Sequence, residues 1–176
     1  MATFKNILVS LGMLISMMAT PIKADKPLET VAHVDLDRYL GEWYEIARFD
    51  APFQQGCVAS RAHYSLNPDG TLKVVNECRS ETFDGKLRIA KGKAWVVDKV
   101  SNAKLKVQFF WPFKGDYWII DLGKDYEFSV VSEPKRKFLW VLSRTPHMEL
   151  KTYDEILEKL KFLGFDIAQL LKTPQP

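Results

Sequence analysis

Residues 40–49 read Leu-Gly-Glu-Trp-Tyr-Glu-Ile-Ala-Arg-Phe, and from Trp43 onward their composition predicts a β-strand. Residues 34–39, immediately before, indicate one turn of helix with Asp35 as its N-cap. Gly41 lets the chain turn from that helix into the strand without a clash of a Cβ atom. We expect the Trp43 ring to be buried, because an indole left in water costs free energy. A glycine two residues before a tryptophan is a weak motif by itself, and an ordinary strand with a core tryptophan also explains it.

The composition is that of one ordinary globular domain. The chain has 176 residues, of which 47% are hydrophobic and 27% are charged, and this is enough apolar side chain for a full core or a walled cavity. The net charge of +3 is spread along the chain. No long basic run with interleaved aromatic residues occurs, so the sequence does not favour a nucleic-acid partner.

Residues 1–24 differ from the rest and predict a secretory signal peptide. Lys5 supplies a positive charge, residues 7–18 form an uncharged apolar run, and Ala24 is a small residue suited to a cleavage site. The run is too short to span a bilayer comfortably, and a retained anchor helix is the alternative. Cleavage after Ala24 leaves residues 25–176 as a single domain.

Seven further segments alternate or are rich in β-branched and aromatic residues, and they predict β-strands. Their links are short and carry turn residues, such as the Asn-Pro-Asp-Gly at residues 67–70. With the first strand they make eight, at residues 43–49, 58–66, 71–78, 87–97, 104–111, 117–122, 126–132 and 138–143. Eight antiparallel strands in this simple order favour an all-β, up-and-down β-barrel, which is wide enough to hold one small ligand. A two-sheet sandwich is the alternative.

The hydrophobic period changes after the last strand. Apolar residues recur at helical spacing from residue 149 to residue 163, and Gly164 is a natural C-terminal stop. A single amphipathic helix must bury its apolar stripe, so we expect it to pack on the outer wall of the barrel. Residues 165–176 carry further apolar side chains, and we expect this tail to lie along the body of the domain.

The arrangement of eight strands and a helix, with Gly41 and Trp43 at the first strand, resembles the lipocalins. Gly41-x-Trp43 matches the first motif of that family, and Arg144 matches the arginine of the third. Residues 115–122 stand where the second motif is expected, without the usual Thr-Asp-Tyr triplet. In the family the arginine lies across the tryptophan ring at the closed end of the barrel, as a cation–π contact. The resemblance therefore implies a structural role for Gly41, Trp43 and Arg144.

Within the lipocalins, the chain is most similar to the apolipoprotein D-like group, which includes the bacterial lipocalin Blc. Four segments carry this similarity, at residues 38–50, 64–70, 105–113 and 139–146. The resemblance implies binding, storage or transport of membrane-type lipids, with fatty acids and lysophospholipids as amphiphilic ligands and no cofactor.

Location and assembly are less defined. Bacterial members of the group are mostly outer-membrane lipoproteins, but no cysteine lies near Ala24 to carry a lipid. We therefore expect an exported periplasmic protein, with association at the outer membrane as the alternative. The sequence leaves open whether the protein is a monomer or a homodimer and whether the mouth of the barrel contacts a membrane.

The candidate site follows from strand parity, because alternate residues of a closed barrel face its interior. On the fifth strand the inward face holds Leu105, Val107, Phe109 and Trp111, and on the fourth it holds the small residues Ala90, Gly92 and Ala94, which should leave room for an acyl chain. The resemblance agrees at five positions that match the ligand pocket of apolipoprotein D. The candidate ligand-binding residues are Tyr64, Asn76, Ala94, Val107, Phe109, Trp111, Tyr117 and Trp140. A barrel filled by its own side chains is the alternative.

The two cysteines bear on whether the protein is an enzyme. Cys57 and Cys78 lie near each other across one predicted hairpin, and an exported protein is expected to oxidise them to a disulfide. The alternative is an enzyme that acts on a lipid through a cavity thiol, for which Cys78 has the right parity. The three histidines show no metal-ligand spacing. The sequence therefore favours a binding protein without a metal or catalytic residues.

Overall fold

The chain enters the barrel through a short capped helix. A computed structural model describes residues 26–176, so the predicted signal peptide lies outside the described residues. Helix α1 spans Leu36–Tyr39, and the carboxylate of Asp35 accepts hydrogen bonds from two backbone N–H groups of its first turn. Gly41 then adopts a φ of 92°, a left-handed conformation that favours glycine, and the first strand begins there. This entry agrees with the prediction.

Eight antiparallel strands follow in chain order. They are β1 Gly41–Phe49, β2 Cys57–Leu66, β3 Leu72–Ser80, β4 Leu87–Val96, β5 Lys104–Phe110, β6 Phe113–Leu122, β7 Phe128–Ser132 and β8 Leu139–Ser143. Each strand pairs with the next, and β1 pairs with both β2 and β8, so the sheet closes on itself. The structure therefore confirms the predicted up-and-down barrel and excludes the two-sheet sandwich.

The second helix covers one side of the barrel. Helix α2 spans Leu150–Phe162 and buries Tyr153, Ile156 and Leu160. These side chains belong to a hydrophobic cluster with outward-facing strand residues such as Val130 and Val141. The amphipathic stripe thus packs on the outer wall, as predicted.

The tail forms a ninth strand that the sequence analysis did not predict. Strand β9, Leu170–Lys172, pairs with residues 47–49 of β1. Nearer the start of β1, this strand pairs with β2 only over residues 41–44, because β2 bulges at Ala59, whose φ is 49°. The N–H of Ala59 donates to the carbonyl of Pro174 at 2.8 Å. The tail therefore fills a seam between β1 and β2.

The two ends of the barrel differ. The links β1–β2, β3–β4, β5–β6 and β7–β8 meet at one end, which we call the mouth. The opposite, closed end holds α1 and the links β2–β3, β4–β5 and β6–β7. A second hydrophobic cluster fills the closed half of the interior, including Trp43, Tyr64, Leu72, Leu105 and Ile119.

Candidate functional site

The closed end is sealed by an arginine lying on an indole. Trp43 is fully buried, and the guanidinium carbon of Arg144 lies 3.8 Å from the centroid of its ring. Arg144 donates hydrogen bonds to the carbonyl oxygens of Leu40 and Glu42 at 2.9 Å and of Arg38 at 2.6 Å. Burial lowers the pKa of Arg144, which is the expected effect of removing a cation from water.

The expected second motif is not the segment that completes this end. Residues 115–122 lie in β6, which runs from the mouth to the floor. The contacts to Arg144 come instead from Tyr126 in the β6–β7 turn, whose carbonyl accepts from Arg144 Nε at 3.3 Å. The Tyr126 hydroxyl accepts from the backbone N–H of Asp35 at 2.7 Å. The assignment to residues 115–122 was therefore wrong, because a match of sequence order does not tell which end of a strand a segment occupies.

Three tyrosines form a polar floor above the closed end. The hydroxyl of Tyr117 lies 2.9 Å from the hydroxyls of both Tyr39 and Tyr64, and Tyr39 also contacts the hydroxyl of Ser129 at 2.9 Å. Burial raises the pKa of Tyr39 to about 12 and raises the pKa values of Tyr64 and Tyr117 well above their ordinary range. The three hydroxyls are therefore neutral hydrogen-bonding groups at ordinary pH.

Above this floor the interior wall keeps accessible surface. We call five residues with this property the mouth wall: Asn76, Ala90, Val107, Phe109 and Trp140, all of intermediate exposure. Their strand registers and core contacts place them on the inward face. Inward residues nearer the floor, such as Val74 and Leu105, are 2% and 3% exposed. The interior is thus packed in its closed half and accessible in its mouth half.

Four of the eight predicted ligand-binding residues do not lie in the mouth wall: Tyr64 and Tyr117 belong to the tyrosine floor, and Ala94 and Trp111 lie elsewhere. Trp111 is 86% exposed, because β5 ends at Phe110 and the β5–β6 register shifts between Val107 and Phe110. Ala94 is only 3% exposed and belongs to the packed half. The expected room along β4 is also reduced, because a Cβ atom at Gly92 would lie 2.8 Å from the Phe109 ring.

The sequence analysis missed a buried ion pair inside the barrel. Arg48 Nη1 lies 3.1 Å from Glu45 Oε1, and both side chains are buried. The Thr173 hydroxyl donates to Glu45 at 2.6 Å, and Gln54 donates to the same carboxylate at 2.7 Å. Residues three apart in a regular strand face opposite sides, but β1 changes register between Glu45 and Ala47. That bulge lets both side chains point inward, and strict alternation could not reveal it.

Comparison with known proteins places this architecture in a family. The lipocalin-like domain family matches residues 34–175. The chain is a lipocalin. Its fold is similar to that of insecticyanin from the tobacco hornworm Manduca sexta, with a TM-score of 0.69 at 17% identity over 85% of both chains. It is also similar to lobster apocrustacyanin A1, with a TM-score of 0.64 at 18% identity over 80% and 79% of the two chains.

Three curated relatives extend the comparison. Temperature-induced lipocalin-1 of Arabidopsis thaliana is 43% identical over 159 residues, which are 85% of this lipocalin and 84% of the relative. Outer membrane lipoprotein Blc of Escherichia coli strain K12 is 40% identical, covering 83% and 82%. Apolipoprotein D of Mus musculus is 35% identical, covering 80% and 77%. The apolipoprotein D-like resemblance is therefore confirmed.

The cysteines of this lipocalin are joined. Cys57 and Cys78 form a disulfide between β2 and β3, as predicted, and they are the two cysteines of the chain. The disulfide removes the thiol on which the enzyme alternative depended.

The rim of the mouth is apolar and exposed. Phe110, Trp111 and Phe113 are 75%, 86% and 77% exposed, and they stand together at the β5–β6 turn. Within residues 26–176, no helix has the length and apolar character needed to cross a membrane, and no cluster of His, Cys, Asp and Glu side chains is arranged to hold a metal ion.

Proposed function

We propose that this lipocalin binds a long-chain fatty acid or a lysophospholipid, one molecule per barrel, and stores or carries it without transforming it. The observation that carries this proposal is the mouth wall, where Val107, Phe109 and Trp140 face inward and still keep accessible surface. An apolar concave wall with a few polar groups suits an amphiphile. The family membership and the named relatives support binding of a small hydrophobic ligand.

The acyl chain supplies most of the affinity in this proposal. Each methylene removed from water contributes about 0.8 kcal/mol before the cost of ordering the chain. The tyrosine floor limits how deep the chain reaches, because Tyr39, Tyr64 and Tyr117 are hydrogen-bonded to one another and close the space below.

The apolar rim is suited to contact with a membrane, which would be the source of the lipid. Phe110, Trp111 and Phe113 would enter the interfacial layer of a membrane, and the nearby Lys114 would remain among the head groups. Aromatic residues favour that depth. We infer that the protein is exported and works in the periplasm in maintenance of the cell envelope, which the outer-membrane name of the Escherichia coli relative supports.

A titration with fatty acids and lysophospholipids of increasing chain length tests the proposal. Quenching of tryptophan fluorescence reports binding, since Trp140 lies in the mouth wall and Trp111 at the rim. Affinity should rise with acyl length until the chain outgrows the cavity, with one lipid bound per chain. Binding that does not depend on chain length would contradict an internal site, and a changed lipid after long incubation would favour an enzyme.

A further inference from the structure

Four buried polar atoms lack a hydrogen-bond partner in the part of the chain that the structure describes, and three of them belong to inward-facing residues on the adjacent strands β1, β2 and β3. They are Arg48 Nε, Ser60 Oγ and Asn76 Oδ1, and the fourth is Gln108 Nε2 on the outer face. An unpaired buried polar group costs free energy, so such groups are rare in folded proteins. A cluster of three on one interior wall therefore calls for an explanation.

The three residues occupy neighbouring strands. Arg48 on β1 is bonded to Glu45, and the Gln175 side chain donates to the carbonyls of both Glu45 and Ser60, at 2.8 and 2.9 Å. One amide nitrogen thus links β1 and β2 at this level. Asn76 on β3 pairs with Ala62, two residues beyond Ser60. Arg48 and Ser60 are 6% and 3% exposed and Asn76 is half-buried, so the site is built into the wall.

The charges at this site already cancel. Glu45 accepts from Arg48, Thr173 and Gln54, so Arg48 is neutralised and its Nε–H remains as a donor. An ionised carboxylate here would add an uncompensated buried charge beside Glu45, which is unfavourable. Arg88 shares the inward parity of Ala90, stands nearer the mouth, and donates to the carbonyls of Gln55 and Phe53. A charged head group would therefore lie outside this cluster.

We propose that Arg48, Ser60 and Asn76 form an interior subsite for an uncharged, hydroxyl-bearing ester of an acyl lipid, such as the glyceryl ester of a monoacylglycerol or lysophospholipid. The ester carbonyl accepts from Arg48 Nε and from the Ser60 hydroxyl. The free glycerol hydroxyl bonds the Asn76 amide, and it can do so in either orientation of that amide because a hydroxyl both donates and accepts. This inference rests on the proposed lipid binding and names the part of the ligand that the wall selects.

The test compares monooleoylglycerol with methyl oleate, which share the oleoyl chain and the ester but differ in the glycerol hydroxyls. Wild-type protein should bind monooleoylglycerol more tightly, and Asn76→Leu should lose about fivefold or more of that preference, the value of one hydrogen bond. Ser60→Ala should lower the affinity for both lipids, because both carry the ester carbonyl. The matched control is Gln108→Leu, which removes the fourth unpaired group from the outer face and should leave both affinities unchanged.

Stability separates a ligand subsite from a structural role. Removing an unpaired polar group should leave the melting temperature of the empty protein unchanged or raised, while the affinity for the lipid falls. If wild type binds the two lipids with equal affinity, and Asn76→Leu does so too, the subsite is overturned and the proposed lipid binding stands. Failure of wild type to bind either lipid while it still binds oleate would overturn the subsite alone, and failure to bind oleate as well would overturn both. If Asn76→Leu does not fold, Ser60→Ala decides, and unchanged affinity in that variant overturns the subsite.

Discussion

The guanidinium of Arg144 lies over the ring of Trp43, with 3.8 Å between its central carbon and the ring centroid. Trp43→Ala should lower the free energy of unfolding by about 3 to 5 kcal/mol, as other large core truncations do. Arg144→Ala should cost less but remain clear, since it uncovers the ring and leaves buried carbonyls without a donor. Denaturant unfolding measures both. Arg61→Ala is the control, because Arg61 pairs with Glu77 on the exposed surface, and its loss should matter little.

Reduction of the Cys57–Cys78 disulfide should destabilise the barrel. The two residues are 21 positions apart, and a link of that span contributes about 3 kcal/mol in the chain-entropy model. Thermal unfolding of the Cys57→Ser/Cys78→Ser variant, compared with oxidised wild type, measures the loss. Thiol titration of denatured, unreduced protein should find no free thiol, and two thiols per chain would refute the pairing.

Removing one partner of the buried Glu45–Arg48 pair should lower the free energy of unfolding more than replacing both residues with apolar ones. Arg48→Met leaves a buried carboxylate without its partner and should cost about 3 to 5 kcal/mol. The double variant Glu45→Leu/Arg48→Met should recover part of that loss, because neither charge then remains. As a surface comparison, Lys93→Met breaks the exposed pair with Asp69 and should change the unfolding free energy by less than about 1 kcal/mol. A double variant less stable than Arg48→Met would contradict this account.

The tyrosine floor should make the protein sensitive to alkali. The folded-state pKa of Tyr39 is raised from 10.0 to about 12 by burial, so the unfolded chain loses its proton first. The contribution of protonated Tyr39 to the free energy of unfolding is fully present below pH 10 and is lost as the pH rises towards 12. Urea unfolding between pH 9 and pH 11 should show this fall, with a smaller fall in Tyr39→Phe. Equal slopes in the two proteins would exclude Tyr39 as the cause.

Local sequence signals predicted most of the fold. The turn residues, the alternating strands and the helical stripe each depend on nearby residues, so the eight strands and α2 could be recognised. The closed end of Trp43 and Arg144 was expected only from the resemblance to the lipocalins. Parity failed wherever a strand bulges, because one extra residue reverses every later side chain. That is why Trp111 was placed inside and why the inward pair of Glu45 and Arg48 was missed.

Strand alternation also could not predict how deep a residue lies along the barrel axis. Ala94 and Ala90 share the inward face of β4, but Ala94 packs in the closed half and Ala90 lies in the mouth wall beside Asn76. The three-residue strand β9 escaped prediction because its short, apolar sequence has no period of its own. It forms only through pairing with β1.

Occupation of the mouth half of the barrel by an acyl chain is tested most directly by Ala90→Trp. The new indole would fill the space of several methylenes, each worth about 0.8 kcal/mol, so the affinity for oleate or oleoyl lysophospholipid should fall more than about tenfold. Lys91→Trp is the matched control, since it places the same ring on the exposed outer face and should bind as wild type does. With both variants folded by thermal unfolding, loss of binding in Ala90→Trp alone is the predicted result. Full affinity in a folded Ala90→Trp variant would contradict binding inside the barrel.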